Sequence, residues 1–176
     1  RHLYGLVNDL LDIAKIEAGH IEYKFEKVAL HEIINEVVNL HRMSAKQKNV
    51  AVNVNIAGDF PAKVTCDKVR IRQVLNNLVH NAVKFTEEGQ ITVTAWREGD
   101  YAVITVEDTG PGIPPELQRE VFEQFRQVDD FITRRYGGTG LGLFLVSELV
   151  QGMGGDIRLK SEPGKGSSFT VKLPGL

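Results

Sequence analysis

Cysteine is nearly missing from this chain: Cys66 is the only one in 176 residues. An intrachain disulfide is therefore impossible, and the usage fits a reducing compartment. Metal-ligand clustering is missing too. His2, His20, His31, His41 and His80 are scattered without ligand spacing and read as surface or packing residues. Charge of one sign is not in excess; the net charge of −2 gives no reason to expect nucleic acid as a partner. No apolar run approaches a membrane span, and no signal peptide is visible. Two familiar phosphate fingerprints are also absent. There is no G-x-x-x-x-G-K-[ST], and no G-x-G-x-x-G follows a strand. A nucleotide site in this chain belongs to neither a P-loop nor a Rossmann fold. Together these absences describe a cytoplasmic globular domain. The chain opens inside a helical pattern without a start methionine, so it is read as a fragment, with room for a membrane anchor in the rest of the protein.

Glycine, by contrast, is concentrated. Gly137, Gly138, Gly140 and Gly142 fall within six residues and precede the apolar run Phe144 to Val150, which has helical length and spacing. Glycine admits close approach of a ligand, and a helix N-terminus offers unpaired N–H groups, so the junction suits phosphate as well as it suits a tight turn. Upstream, Leu3, Leu6, Val7, Leu10, Leu11, Ile13 and Ala14 recur at spacings of three and four. They predict a helix with a stripe that meets another helix, with Gly19 as its C-cap. Ile21 to Val28 reads as a short strand. Leu30, Ile33, Ile34, Val37 and Val38 form a helical face, and Val50, Val52, Val54 and Ile56 alternate as a half-buried strand.

Asp67 is a good N-cap for a helix from Lys68 to about Phe85. Its core face is Ile71, Val74, Leu75, Leu78, Val79 and Ala82. The opposite face carries Arg70, Gln73, Asn77, Asn81 and Lys84, all within roughly 80° of one another. Asparagine is a poor helix former, and two of them four apart in mid-helix suggest a ligand more than a solvated face. A carboxamide oxygen can bind a metal ion without adding charge. Ile91 to Ala95 and Tyr101 to Thr105 lie in two strands of a hairpin turning at Glu98-Gly99-Asp100. On the second of these strands Ala102, Ile104, Val106 and Asp108 share a face, so the pleat aims a carboxylate inward. Such a group needs hydrogen-bond donors. Thr109-Gly110-Pro111-Gly112-Ile113 follows at once, so Asp108 closing its own turn is the plain alternative. Pro114-Pro115-Glu116 starts a short helix. Phe122 and Phe125 have packing spacing, and Arg126 to Tyr136 has weak periodicity. Ile157 to Ser161, a turn at Pro163-Gly164-Lys165-Gly166, and a strand through Phe169, Val171 and Leu173 complete the chain.

These stretches, over roughly residues 22–174, together resemble the ATP-binding catalytic domain of sensor histidine kinases of two-component systems. Asn77 to Thr86 (NLVHNAVKFT) is similar to the family's N box. Asp108-Thr109-Gly110-Pro111-Gly112-Ile113 resembles the G1 box, and Phe122-Glu123-Gln124-Phe125 the F box. Gly138-Thr139-Gly140-Leu141-Gly142-Leu143 resembles the G2 box, and Gly164-Lys165-Gly166 the last glycine turn. The resemblance implies an α+β fold, a two-layer α/β sandwich of the kind shared with gyrase, Hsp90 and MutL, in which a mixed sheet is covered by helices on one face. It implies ATP and Mg²⁺ as cofactors, with Asn81 on the metal and Asn77 and Lys84 near the phosphates as the catalytic pair. Asp108 would accept the adenine amino group, and Gly110 and Gly112 would let the backbone approach the base. Ile113, Phe122, Phe125, Gly138, Thr139, Gly140, Leu141, Gly142 and Leu143 would complete the nucleotide site. Residues 126–138 would be a lid. Asp12-Ile13-Ala14-Lys15-Ile16-Glu17-Ala18-Gly19 resembles the end of the second dimerisation helix, dividing the chain into 1–21 and 22–176.

The phosphoacceptor box is absent, and His2 aligns with a scaffold position. The implied activity is transfer of the ATP γ-phosphoryl group to a histidine on a dimerisation domain, for relay to a response-regulator aspartate. The expected partners are that domain, the regulator and a second copy of the full protein. The alternatives are an ATPase of the gyrase and Hsp90 kind and a non-catalytic nucleotide-binding module. Those ATPases carry a Glu one helical turn before the metal asparagine. Here that position is Asn77, whose amide is no base near neutral pH.

Overall fold

The computed structural model of the chain describes residues 2–123 and 142–176. Helix α1 (His2–Glu17) leads through a short link to strand β1 (Phe25–Val28) and helix α2 (Leu30–Gln47). Strands β2 (Val50–Ile56) and β3 (Val64–Asp67) follow, then helix α3 (Lys68–Phe85) and the hairpin β4 (Gly89–Glu98) and β5 (Tyr101–Asp108). Two 3₁₀ turns (Pro115–Leu117 and Glu120–Phe122) precede the described part of the glycine run. Helix α4 (Gly142–Gly152) and strands β6 (Asp156–Glu162) and β7 (Gly166–Leu173) close the chain.

Five strands form one mixed sheet in the order β2-β4-β5-β7-β6, with β2 parallel to β4 and the other pairs antiparallel. Strands β1 and β3 pair separately. The alternation on β2, β4, β5 and β7 sends Val50, Ile91, Val93, Ile104, Val106, Phe169 and Val171 into a core closed by α2, α3 and α4. The other face carries Thr105 and Thr170, whose hydroxyls bond across β5 and β7 at 3.1 Å. This is the expected α/β sandwich with helices on one face.

Several local expectations hold to the residue. The five apolar positions of α2 are all buried, and α3 spans Lys68–Phe85. Asp67 caps α3 by accepting the Arg70 N–H at 3.0 Å. Gly19 takes φ +70° after α1, where only a residue without Cβ sits free of strain. Two expectations change. The strand foreseen over Ile21 to Val28 is confined to Phe25–Val28, because the Lys24 N–H goes to the second Asp67 oxygen at 2.8 Å rather than to a ladder. The helix foreseen at Pro114 is two single 3₁₀ turns.

On α1, Ile13 is 3% exposed against the body, whereas Val7, Leu10 and Leu11 remain 47%, 42% and 55% exposed. Over residues 7–17 the helix thus packs on the core along one edge. Among the described residues, no helix is long and apolar enough to cross a membrane.

Candidate functional site

The site is built where α3, the end of β5 and the start of α4 converge. Helix α3 buries Ile71, Val74, Leu75, Leu78, Val79 and Ala82 and so must turn its opposite face toward α1 and α4. That polar face is divided between two surroundings. Its first two members are taken by α1: Arg70 Nη1 lies 3.2 Å from Asp12 Oδ1, and Gln73 Nε2 donates to Asp12 Oδ2 at 2.9 Å. The part of the polar face left for a ligand is therefore shorter than foreseen: Asn77, Asn81 and Lys84, all half-buried. A Cβ added to Gly142 would stand 3.9 Å from Asn77 Oδ1, which brings the two asparagine turns of α3 to the N-terminus of α4. Burial lowers the Lys84 ammonium from its ordinary pKa. A desolvated ammonium on the helix face that carries two carboxamides, the first of them against a helix N-terminus, is suited to an anion. The carboxamide oxygens are in turn suited to a hard divalent cation held jointly with a polyphosphate, so the donor set fits Mg²⁺.

Asp108 ends β5 at 9% exposure, pointing inward as the strand phase requires. Its Oδ1 accepts the Gly110 N–H at 2.9 Å and the Ser167 N–H at 3.3 Å. Both the turn-closing role and the inward-facing role are thus real, and the chain itself supplies donors. Oδ2 takes no hydrogen bond among the described residues. Burial pushes the Asp108 carboxyl above the ordinary carboxylate range. The two N–H donors pull it back, and the charge of Glu107 adds to the rise.

The glycines around Asp108 serve the backbone. A Cβ on Gly110 would lie 3.0 Å from Asp108 Oδ1, 3.2 Å from the Phe85 carbonyl and 3.4 Å from Thr86 Oγ1. Gly112, at φ +75°, is pressed against the carbonyl of Glu162, so its lack of a side chain admits the β6–β7 turn. Ile113 is fixed by its N–H to Ser161 Oγ at 2.7 Å and by its carbonyl to Gln118 Nε2 at 2.9 Å. Ser161 also bonds the Gly166 carbonyl and Ser167 Oγ, both at 2.9 Å. Phe122 packs edge-on to Phe169, with ring centroids 6.0 Å apart. Thr86, fully buried beside Gly110, has a hydroxyl without a hydrogen-bond partner among the described residues. Ser161, Ser167, Gln118 and Thr86 were not singled out from the sequence. The hints were the place of Thr86, at the end of the stretch similar to the N box, and that of Ser167, next to the last glycine turn. Leu143 follows Gly142 at the start of α4 and is half-buried. Phe125, Gly138, Thr139, Gly140 and Leu141, with the lid segment 126–138, lie outside the described residues.

Residues 66–175 match the family of histidine kinase-, DNA gyrase B-, and HSP90-like ATPases. The circadian input-output histidine kinase CikA of Synechococcus elongatus is 41% identical over 98% of this chain, which covers 23% of that protein. The signal transduction histidine-protein kinase BarA of Escherichia coli is 40% identical over 96% of the chain, covering 19% of it. The chain thus spans about a fifth of the length of these relatives. Among solved structures, full-length ShkA in complex with AMPPNP superposes with a TM-score of 0.88 at 35% identity, over 99% of this chain and 36% of that one.

Proposed function

This chain belongs to the histidine kinase-, DNA gyrase B- and HSP90-like ATPase family, as the ATP-binding catalytic domain of a sensor histidine kinase, and we propose that it hands the γ-phosphoryl group of ATP to a histidine on a segment outside it. The observation that carries this reading is Asn77, on α3 and facing the start of α4. A water-activating hydrolase needs a base there, and a carboxamide is none.

In this reading Asp108 accepts the adenine amino group on Oδ2, the oxygen that the described residues leave unused. Gly110 and Ser167 fix the carboxylate plane through Oδ1. Lys84 and the N–H groups at the start of α4 hold the phosphates, and Lys84 neutralises charge on them as transfer proceeds. Asn81 would hold Mg²⁺, with Asn77 alongside; the metal supplies charge neutralisation on the transferred group. No residue of this site is asked to take a proton from the acceptor, because a neutral imidazole is already a nucleophile. The exposed Val7, Leu10 and Leu11 support a second role for α1, as the end of a dimerisation helix in a homodimeric full-length protein, residues 1–21 being that helix and 22–176 the catalytic domain. A response regulator would receive the phosphoryl group. A comparison of ATP hydrolysis with phosphotransfer to an added dimerisation domain tests the proposal. Histidine phosphorylation with slow hydrolysis supports it. Fast hydrolysis without transfer identifies an ATPase, and nucleotide binding with neither identifies a regulatory module.

A further inference from the structure

We propose that Asp12 is a positioning residue for phosphoryl transfer: through Arg70 and Gln73 it sets the orientation of the catalytic body on α1. The inference deepens the kinase reading above and rests on it.

Hydrophobic contact alone does not fix how the body sits on α1. Ile13 is the buried anchor and Ile16 is partly buried, while Val7, Leu10 and Leu11 stay largely exposed. Burial of that kind is non-directional and leaves rotation about the helix weakly specified. The polar contact is directional. Each carboxylate oxygen of Asp12 meets its own donor, Arg70 Nη1 at 3.2 Å and Gln73 Nε2 at 2.9 Å. The donors come from positions three apart on α3, and Arg70 Nη1 also donates to Gln73 Oε1 at 3.1 Å. Three groups that bond one another pairwise fix an angle as well as a distance.

What they orient is the nucleotide face. Arg70 and Gln73 stand on the same side of the same unbroken helix as Asn77, Asn81 and Lys84. Gln73 and Asn81 are eight residues apart, about 12 Å along the axis at 1.5 Å per residue. A change of angle at Asp12 is therefore carried rigidly to the phosphates. The link is short as well. Lys24, which enters β1, is tied to Asp67, and Asp67 caps the same α3 turn that supplies Arg70.

The contact is also breakable without opening the core. Arg70 and Asp12 are each 16% exposed, and both line a groove of about 670 Å³ between α1, α2 and α3. A transfer reaction depends steeply on in-line placement of donor and acceptor, while ground-state ATP binding does not depend on where the acceptor lies. Asp12 should act on the first and not on the second.

The test uses the full-length kinase with its acceptor histidine. Asp12→Ala, Asp12→Asn and the exchange pair Asp12→Arg with Arg70→Asp are compared with the native protein. Three quantities are measured: melting temperature, affinity for a non-hydrolysable ATP analogue, and the rate of histidine phosphorylation at saturating ATP. We expect Asp12→Ala to melt and bind nucleotide as the native protein does and to transfer about tenfold or more slowly, as misplaced reactants do. Asp12→Asn, which keeps the Gln73 bond, should fall between, and the exchange pair should recover most of the rate. Native transfer by Asp12→Ala overturns the inference and leaves the kinase reading standing. Faster transfer overturns it too, because the contact would then be a restraint. So does a parallel loss of nucleotide affinity, or an exchange pair no better than Asp12→Ala. A native protein that binds ATP and phosphorylates no histidine overturns both.

Discussion

Gly166 lies so close to the main-chain carbonyl of Asp108 that a Cβ on it would overlap the oxygen. It sits at φ +122°, a conformation that side chains rarely adopt. The next residue, Ser167, pairs with Asp108 in the β5–β7 ladder and gives its N–H to the Asp108 carboxylate. The last glycine turn thus holds the Asp108 carboxylate from behind. Gly166→Ala should cost about 3 kcal/mol or more, from roughly 1–3 kcal/mol of backbone strain and a similar amount of overpacking. Gly164, two residues earlier at φ +80°, has open space around it. Gly164→Ala should cost only about 1–2 kcal/mol. Urea unfolding of the two variants checks the difference, and equal losses would contradict it.

Thr86 has a fully buried hydroxyl without a partner among the described residues. Leaving a buried polar group unmatched costs roughly 1–3 kcal/mol, whereas an apolar group of the same shape does not. Thr86→Val should therefore cost nothing in the nucleotide-free chain and gain up to about 1 kcal/mol. Denaturant midpoints measure this, and a clear loss of stability would show that the hydroxyl is satisfied after all.

Asn81→Ala should leave the nucleotide-free melting temperature near the native value and remove the stabilisation given by Mg²⁺ with ATP. Linkage makes that stabilisation about 2.7 kcal/mol at a ligand concentration a hundredfold above Kd. Melting curves with and without Mg·ATP read it directly. An unchanged shift in the Ala variant would end the metal assignment.

Lys84 has a pKa lowered by burial. Its folded value lies below its unfolded value, so this group costs stability while it is charged. The cost disappears as pH rises through the folded pKa toward the ordinary lysine value. A bound polyphosphate should restore the ammonium. ATP binding should accordingly take up a proton at alkaline pH, and Lys84→Met should abolish that uptake. Calorimetry in buffers of different ionisation enthalpy measures the proton count, and equal heats for native and variant would contradict the role.

The fold was largely legible because its signals are local. The α3 boundaries follow from Asp67 as a cap and from a six-residue apolar face, and the inward aim of Asp108 follows from strand period alone. The division of the α3 polar face was not legible. Asp12 and Gln73 are 61 positions apart, and nothing near either announces the other. The same holds for Ser167 and Asp108, 59 apart. The resemblance implies that Gly112 makes room for a base, and the structure adds that its missing side chain makes room for the Glu162 carbonyl. Glycine patterns disclose close approach without disclosing what approaches.

The proposed reading of an adenine base by Asp108 is tested by one titration. Adenine presents an amine where guanine presents a carbonyl, so the carboxylate should favour ATP and repel GTP. Asp108→Asn keeps the oxygen that Gly110 and Ser167 engage and places an NH₂ in the Oδ2 position. It also removes a buried charge whose raised pKa already marks it as unfavourable near neutral pH, so the variant should fold at least as well as the native chain. A hydrogen bond to a charged group contributes roughly 1.5–3 kcal/mol, so the variant should bind ATP about ten- to a hundredfold more weakly. Isothermal calorimetry of native chain and variant with ATP and GTP gives all four affinities. The account predicts tight ATP and weak GTP binding by the native chain, with the ATP preference lost in Asp108→Asn. A native chain that does not distinguish the two nucleotides, or a variant that binds ATP as tightly as native, would contradict it.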